Sequence, residues 1–495
     1  MLGAVLWASL AHADDSETLR WAADAQGGAP YVFQDPADPN RIIGFEVDFA
    51  EQLAKRLNLK ARPVFGPWEK LLDLVTRQDA DVAINGIEFA EEKRRIVGLS
   101  IPYFAAEEVL TFKKGNASAP KTLAALQGKK VGTLPGSLAE RIALRAGADV
   151  RTYEGGQDEI YDDLKLGRTD AVLLDETIAH YYADIDPVLE TIHGDFGAVN
   201  YAVAVAQNDE RLPAINAAIE SMRTDGTLRA IYERWGLWTP SNAKLFNTDA
   251  SVSGAATEFE RWQTSVGTLP PFWERVRSRY PALLPLFLKG AGLTLLVSLC
   301  AMSLAVALGI SLALLRRHGP KPIQWLAMVY IEAFRGTPLL IQLTMIYFGL
   351  PELGIKLDPF VSGVLALGLN YAAAEAENYR AGLESVPVGQ LEASKVLGLS
   401  TLQTLRHVVG PQALRISIPP MTNDFIALLK DSSLVSLVTL TELTKTYTNL
   451  ANSTRDHLGL GVLVAIAYLV LGLPFAQLAR RMESYFGRHL KRGAR

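Results

Sequence analysis

The chain has 495 residues, of which 49% are hydrophobic and 21% charged, and its mean hydropathy is +0.12. That balance is too apolar for an ordinary soluble enzyme and too polar for a protein lying wholly in a membrane. It also excludes a disordered, collagen-like or disulfide-framed chain. Charge splits the sequence in two: residues 1–282 carry 30 Lys+Arg against 41 Asp+Glu, a net of −11, and residues 283–495 carry 19 against 12, a net of +7. The acidic excess argues against a nucleic-acid partner. The one cysteine, Cys300, permits no internal disulfide.

Residues 1–13 form a short apolar run ending in Ala11-His12-Ala13, a small-residue signal-peptidase pattern that predicts export with Asp14 as the first mature residue, although no Lys or Arg precedes the run. Residues 14–240 alternate β-rich runs with amphipathic stretches. Leu19–Ala23, Asp81–Asn85, Lys130–Thr133 and Asp170–Asp175 read as strands, and Val47–Leu57 has its apolar residues at helical spacing. Such alternation predicts parallel-type sheets flanked by helices. Ligands of such sheets bind beyond the carboxyl ends of the strands, where Asn85, Gly86 and Asp175 fall.

The runs Gly44–Ala50, Trp68–Leu72, Asn85-Gly86-Ile87, Leu99–Tyr103, Gly128–Thr133, Pro135–Ser137 and Gly167–Val172 leading to Asp175 carry a resemblance. Residues 18–238 resemble the bilobed periplasmic binding proteins for polar amino acids. The resemblance implies an α/β clamshell with one lobe at 18–105 plus 202–238 and another at 108–198. The chain would cross between the lobes near Glu107 and Val199, and the lobes would close on a solute. It also implies that Asp175 takes a ligand α-ammonium, the alternative being a helix N-cap. Trp68 packs on the ligand or, equally, within the core. Ser137 and Asp24 contact ligand or else serve caps and turns.

The departures are pointed. Lys93 stands where the family has an Arg that grips the α-carboxylate, and Lys lacks the bidentate fork. Glu88 replaces a small hydroxyl and should repel a carboxylate. Gly27 replaces an aromatic wall, and Arg94 and Arg95 are available to compensate for Lys93. A cationic, modified or conjugated amino acid fits these changes.

Residues 241–282 divide into a Ser/Asn/Thr/Gly-rich stretch at 241–256, expected to be a flexible linker, and an aromatic, charged stretch at 259–280. The second stretch is either an interfacial helix or one packed on the soluble half. Gly290–Leu315 has no charged residue over 26 positions, more than the roughly 20 needed to span a bilayer. Further apolar segments follow at 323–350, broken by Arg335–Pro338, and at 360–383, 417–440 and 460–478. Five spans place the two ends on opposite sides. Arg316, Arg317 and Lys321, together with the Arg- and Lys-rich tail after 479, put the loop after the first span and the C-terminus in the cytoplasm, and so the acidic half outside.

The polar segment 386–414, with Gly389-Gln-Leu-Glu392-Ala393-Ser394, Gly398, Val408 and Gly410-Pro411, resembles the EAA loop of ATP-binding-cassette importer permeases. Ser394 replaces the second Ala of that motif. Glu332–Pro338, Glu377–Arg380, Asn423 and Leu429–Leu434 resemble polar amino acid permeases over nearly all of 285–485. The resemblance implies an all-α five-helix permease domain at 283–495 that docks a separate ABC ATPase subunit through Glu392, Ala393, Ser394 and Gly398. Two permease chains, identical or not, would surround one pathway. Asn370, Glu377, Asn423 and Lys430 are candidates to line it, or to bond helix to helix. No phosphate-binding loop, metal-ligand cluster or catalytic triad is present, so neither cofactor nor enzymatic activity is expected. The expected protein is the fused receptor and permease of a bacterial inner-membrane amino acid importer. The alternatives are a ligand-gated channel or a membrane-tethered clamshell enzyme.

Overall fold

The computed structural model describes residues 17–38, 40–153, 156–267, 270–438 and 440–490, with side chains through Met482. The expected leader at 1–13 lies outside the described residues, as do the last five residues of the basic tail. The chain forms two units: Met1–Leu283 with Thr448–Leu458, and Leu284–Tyr447 with Gly459–Arg495.

The first unit runs through β1 (Thr18–Ala23), β2 (Phe33–Gln34), β3 (Ile42–Ile43), α1 (Phe45–Arg56), β4 (Lys60–Phe65), α2 (Leu71–Thr76), β5 (Val82–Ala83), α3 (Glu91–Arg94) and β6 (Gly98–Leu99). It continues with β7 (Phe104–Lys113), β8 (Lys130–Thr133), α4 (Leu138–Arg145), β9 (Asp149–Thr152), α5 (Gln157–Lys165), β10 (Ala171–Asp175), α6 (Glu176–Tyr182), β11 (Leu189–Ile192) and β12 (Ala198–Tyr201). Then come β13 (Ala204–Val205), α7 (Leu212–Thr224), α8 (Thr227–Arg234), α9 (Pro240–Leu245), α10 (Thr257–Val266) and α11 (Phe272–Ser278). In α1, Phe45, Phe49, Ala50, Leu53 and Ala54 are buried along one face. Acids in its first turn and bases in its last suit the helix dipole.

One sheet has the order β4-β1-β5-β13-β6 and the other β11-β7-β10-β8-β9, with β12 beside β7. The sheets are mixed rather than parallel throughout. β1 runs parallel to β4 and β5, and β8 parallel to β9 and β10, but β13 and β7 run antiparallel to their neighbours. The reason lies in the crossing strands: β7 leaves the first sheet for the second and β12 returns beside it, pairing Ala198 with Glu107 and Tyr201 with Phe104. A chain that comes back alongside its outgoing strand must run against it.

The linker expectation needs correction. Residues 240–245 are helical, and Asn242 is fully buried, accepting a hydrogen bond from the Ala105 amide of β7 at 3.0 Å and donating to the Leu237 carbonyl at 3.1 Å. A polar side chain that completes two backbone bonds in the interior anchors this stretch to the crossing strand. Between the two readings of the aromatic stretch, α10 packs on the first unit: the Trp262 and Tyr181 rings lie 4.7 Å apart, and Arg261 reaches Asp35 at 2.5 Å. Thr448–Leu458 belongs to the same unit: the Gln34 amide donates to Ser453 at 3.0 Å, Asn452 donates to the Gln26 carbonyl at 2.9 Å, and His457 meets Asp158 at 2.6 Å.

The second unit takes α12 (Tyr280–His318) from Leu284 on, α13 (Lys321–Gly336), α14 (Leu339–Thr344), α15 (Pro359–Glu384), α16 (Val388–Val396), α17 (Thr401–Thr404), α18 (Gly410–Asp431), α19 (Leu443–Thr454) as far as Tyr447, and α20 (His457–Leu490) from Gly459 on. Among the described residues, two helices, Tyr280–His318 and the His457–Met482 part of α20, are long and apolar enough to cross a bilayer. α15 and α18 have 26 and 22 residues but carry more polar groups. The second apolar segment breaks at Thr337-Pro338, where Pro removes a helix donor. Glycines let these helices approach closely: a Cβ on Gly368 would lie 2.7 Å from Leu304, and one on Gly382 2.7 Å from the Ala413 carbonyl.

Candidate functional site

Four strand ends converge on one cleft in the first unit. Asp24 follows β1, Asn85 and Gly86 follow β5, Ser137 follows β8, and Asp175 ends β10, so both sheets contribute. Trp68, Tyr31, Tyr153 and Gln157 also line it, as do Glu69 and Glu88.

Several expected ligand contacts hold the cleft's own frame. Asn85 accepts from the Asp24 amide at 2.6 Å and donates to Glu46 at 3.2 Å. Asp24 accepts from the Gln26 amide at 2.8 Å and the Trp68 amide at 3.2 Å. Trp68 donates its indole N–H to the Asn85 carbonyl at 2.8 Å, with its ring facing the cleft. Gly86 sits at φ +59° with its amide on Glu46 at 2.7 Å, and a Cβ there would press to 3.3 Å from the Tyr31 ring. Ser137 caps α4, accepting from the Glu140 amide at 3.1 Å and donating to the Leu134 carbonyl at 2.7 Å.

Asp175 occupies the cap position of α6 but makes no side-chain cap bond. Its carboxyl instead accepts from Tyr31 at 3.3 Å and from Tyr201, and these two hydroxyls lie 2.9 Å apart. Burial raises its pKa above the ordinary carboxylate range, with the Tyr201 hydrogen bond working against that shift. Behind it in register lies Glu108, 1% exposed, whose carboxyl meets that of Asp175. Burial, followed by the Asp175 charge, pushes the Glu108 pKa up.

Glu88 and Lys93 meet in a different arrangement. One Glu88 oxygen accepts from the Leu138 amide at the start of α4, at 2.5 Å. The other lies 2.9 Å from Arg141 and 3.4 Å from Lys93, whose ammonium sits 5.0 Å over Trp68. Burial lowers the Lys93 pKa, and Glu88 opposes that shift. Gly27 leaves room on its side, since a Cβ placed there would meet its nearest atom only at 3.6 Å, and the aromatic wall comes from Tyr31 instead.

In the second unit, α16 ends at Gly398, φ +72°. The Gly398 amide bonds the Lys395 carbonyl and the Leu399 amide the Ser394 carbonyl, both at 3.0 Å, which is a Schellman closure. Ser394 is buried and accepts from Thr404 at 3.2 Å, tying α16 to α17, while Glu392 and Ala393 are exposed. Val396 and Leu402 are 87% and 73% exposed, so the segment presents an apolar surface. Among the pathway candidates, Asn370 donates to the Phe334 carbonyl at 3.2 Å and to Gln342 at 3.1 Å, and Glu377 pairs with Arg316 and Arg380. Asn423 and Lys430 lie on exposed positions of α18. Asn370 and Glu377 thus bond to other side chains and a carbonyl rather than to each other.

Sequence reasoning passed over Tyr31, Tyr201, Glu108, Arg141 and Glu46. Arg141 has a weak signal, one turn beyond Ser137 on the same helix. Glu46 is an acid between the core residues Phe45 and Val47, off the amphipathic pattern.

Residues 19–237 match the bacterial extracellular solute-binding proteins, family 3, and residues 305–486 match the binding-protein-dependent transport system inner membrane component. The probable glutamine ABC transporter permease protein GlnM of Bacillus subtilis (strain 168) is 37% identical over 41% of this chain and 95% of its own length. The L-cystine transport system permease protein TcyB of the same organism is 34% identical over 45% of this chain and 95% of its length. The glutamine transport system permease protein GlnP of Escherichia coli (strain K12) is 34% identical over 41% and 94%. An ancestral arginine-binding protein bound to glutamine aligns at 33% identity over 45% of this chain and 98% of that chain, with a TM-score of 0.41. The chain therefore belongs to the inner-membrane components of binding-protein-dependent transport systems, with a solute-binding domain fused ahead of the permease. It is a transport component and not an enzyme.

Proposed function

We propose that this chain captures an amino acid or amino-acid-like solute outside the inner membrane and carries it inward, driven by a separate ABC ATPase. The observation that carries the reading is the pairing within one chain of two matched parts. The solute-binding part has four strand ends on one cleft, and the transport part has a capped helix showing exposed apolar residues. An exposed Val396–Leu402 surface is the chemistry expected of a docking face for a soluble subunit. The charge bias supports an outer first unit and a cytoplasmic α16–α17 segment. Two permease chains, as a homodimer or a heterodimer, would enclose the pathway near Asn370, Glu377 and Asn423. The substrates named for the permease relatives, glutamine and cystine, support an amino-acid-derived solute.

The test is reconstitution of the full chain in proteoliposomes with its cognate ABC ATPase, followed by ATP-dependent uptake of labelled amino acids and their amine derivatives. Uptake that requires both ATP and the ATPase supports the reading. Uptake that proceeds equally without either sinks it.

A further inference from the structure

The cleft has an unusual charge inventory for a pocket meant to hold a zwitterion. Four carboxylic acids line it, Asp24, Glu69, Glu88 and Asp175, and among the described residues its lining holds no Lys, Arg or His. A zwitterion needs an anion for its ammonium and a cation or free N–H donors for its carboxylate. The first requirement is met at Asp175, which is backed by the buried carboxyl of Glu108 and shares the cleft with the aromatic rings of Tyr31 and Trp68. The groups that would meet the second requirement are already engaged. The Leu138 amide at the start of α4, the Arg141 guanidinium and the Lys93 ammonium all converge on one side chain, Glu88, at 2.5, 2.9 and 3.4 Å.

Glu88 is 6% exposed and stands just past β5 of the first sheet, whereas Leu138 and Arg141 belong to the helix that follows β8 of the second. It therefore makes from within the protein the bridge between lobes that a bound carboxylate would make. A ligand carboxylate entering this cleft would have to displace Glu88 from two cations and an amide, or lie among acids with no basic side chain beside it. Both are unfavourable for like charges at short range in a buried site.

We propose that Glu88 is a built-in occupant of the carboxylate seat, and that the cleft selects a cationic solute, a primary ammonium or guanidinium, whose carboxylate is absent or masked. This inference rests on the solute-capture reading above and narrows its ligand to amines derived from amino acids, amides and esters included. The ammonium or guanidinium lies against Asp175 and the aromatic faces, where a cation gains from both charge and ring quadrupole.

Matched pairs that differ only in the carboxylate test this: agmatine against L-arginine and cadaverine against L-lysine, with L-glutamine as a neutral zwitterion. The full chain in nanodiscs is titrated calorimetrically with each. The expected result is at least tenfold tighter binding of an amine than of its parent amino acid. Glu88→Thr, which frees the Leu138 amide, Arg141 and Lys93, is expected to shrink that preference to twofold or less and to raise affinity for the parent amino acid at least tenfold. Glu88→Gln keeps the side chain's size and should shift the preference in the same direction by a smaller factor, so a poorly folded Thr variant does not decide the matter. Wild-type protein that binds L-arginine, L-lysine or L-glutamine as tightly as any amine overturns the inference and leaves solute capture standing. Wild-type protein that binds none of the five overturns both.

Discussion

The cleft of the first unit and the α16–α17 segment of the second use hydrogen bonds in opposite ways. In the cleft, side chains spend their polar atoms on one another and on nearby amides: Asn85 on the Asp24 amide and Glu46, Ser137 on its own helix, Glu88 on Arg141 and Lys93. In α16–α17 the backbone closes on itself through Gly398 and the buried Ser394 hydroxyl, leaving large apolar side chains outward. A site for a small charged solute is built by deciding which polar groups remain unspent. A surface for a protein partner is built by satisfying the polar groups locally and exposing the rest.

The comparison breaks first at its apolar end. Val396→Asp together with Leu402→Asp should lower ATP-driven uptake by about tenfold or more while leaving calorimetric solute affinity unchanged, because a desolvated contact to the ATPase is lost. Uptake that persists would move the docking surface elsewhere. In the cleft, Asp175→Asn should weaken binding of a cationic solute by roughly 1.5–3 kcal/mol, on the order of ten- to a hundredfold in Kd, since a charge-assisted hydrogen bond becomes a neutral one.

A gentler probe of the cleft is pH. Burial raises the Asp175 pKa, so acidification neutralises the anion a cation needs, and affinity should fall as the pH is lowered from about 7.5 to about 5. Glu46 is pushed up to about 7 by burial, against its bonds from Tyr103, Gly86 and Asn85. The folded state therefore keeps a proton that the unfolded chain releases above its ordinary value of 4.5, so the contribution to stability is present at low pH and lost as pH rises through about 7. Thermal melts of Glu46→Gln across that window should show a flatter pH dependence than wild type. The smallest effect is expected at Gly398→Ala. A Cβ there meets nothing within 4 Å, so the change costs only the left-handed backbone, about 1 kcal/mol, visible as a small drop in the melting temperature.

Sequence periodicity revealed much of the architecture, because a strand leading to Asn85, another ending in Asp175 and a helix of Phe49, Ala50, Leu53 and Ala54 write their burial into spacing. The break at Thr337-Pro338 was legible for the same kind of reason: proline acts on its own backbone. The cleft was only half legible. Position relative to a strand end marked Asp175, and the resemblance marked Glu88, but neither recorded what they would meet. Tyr201 and Arg141 arrive from distant parts of the chain, and nothing in local sequence records that Glu88 would take the donors of α4. The Ser/Asn-rich stretch after 240 misled because composition cannot distinguish a loose linker from a short helix whose Asn242 completes backbone bonds of β7.

The first unit is discontinuous in sequence, since Thr448–Leu458 joins it from beyond four-fifths of the chain. A gene split that released residues 1–283 as a free-standing protein would therefore leave eleven amino acids behind, including the partners of Gln26, Gln34 and Asp158. Such a fragment would be born with gaps where Asn452, Ser453 and His457 now fit, so fission of this fusion demands compensating change rather than a simple new stop codon.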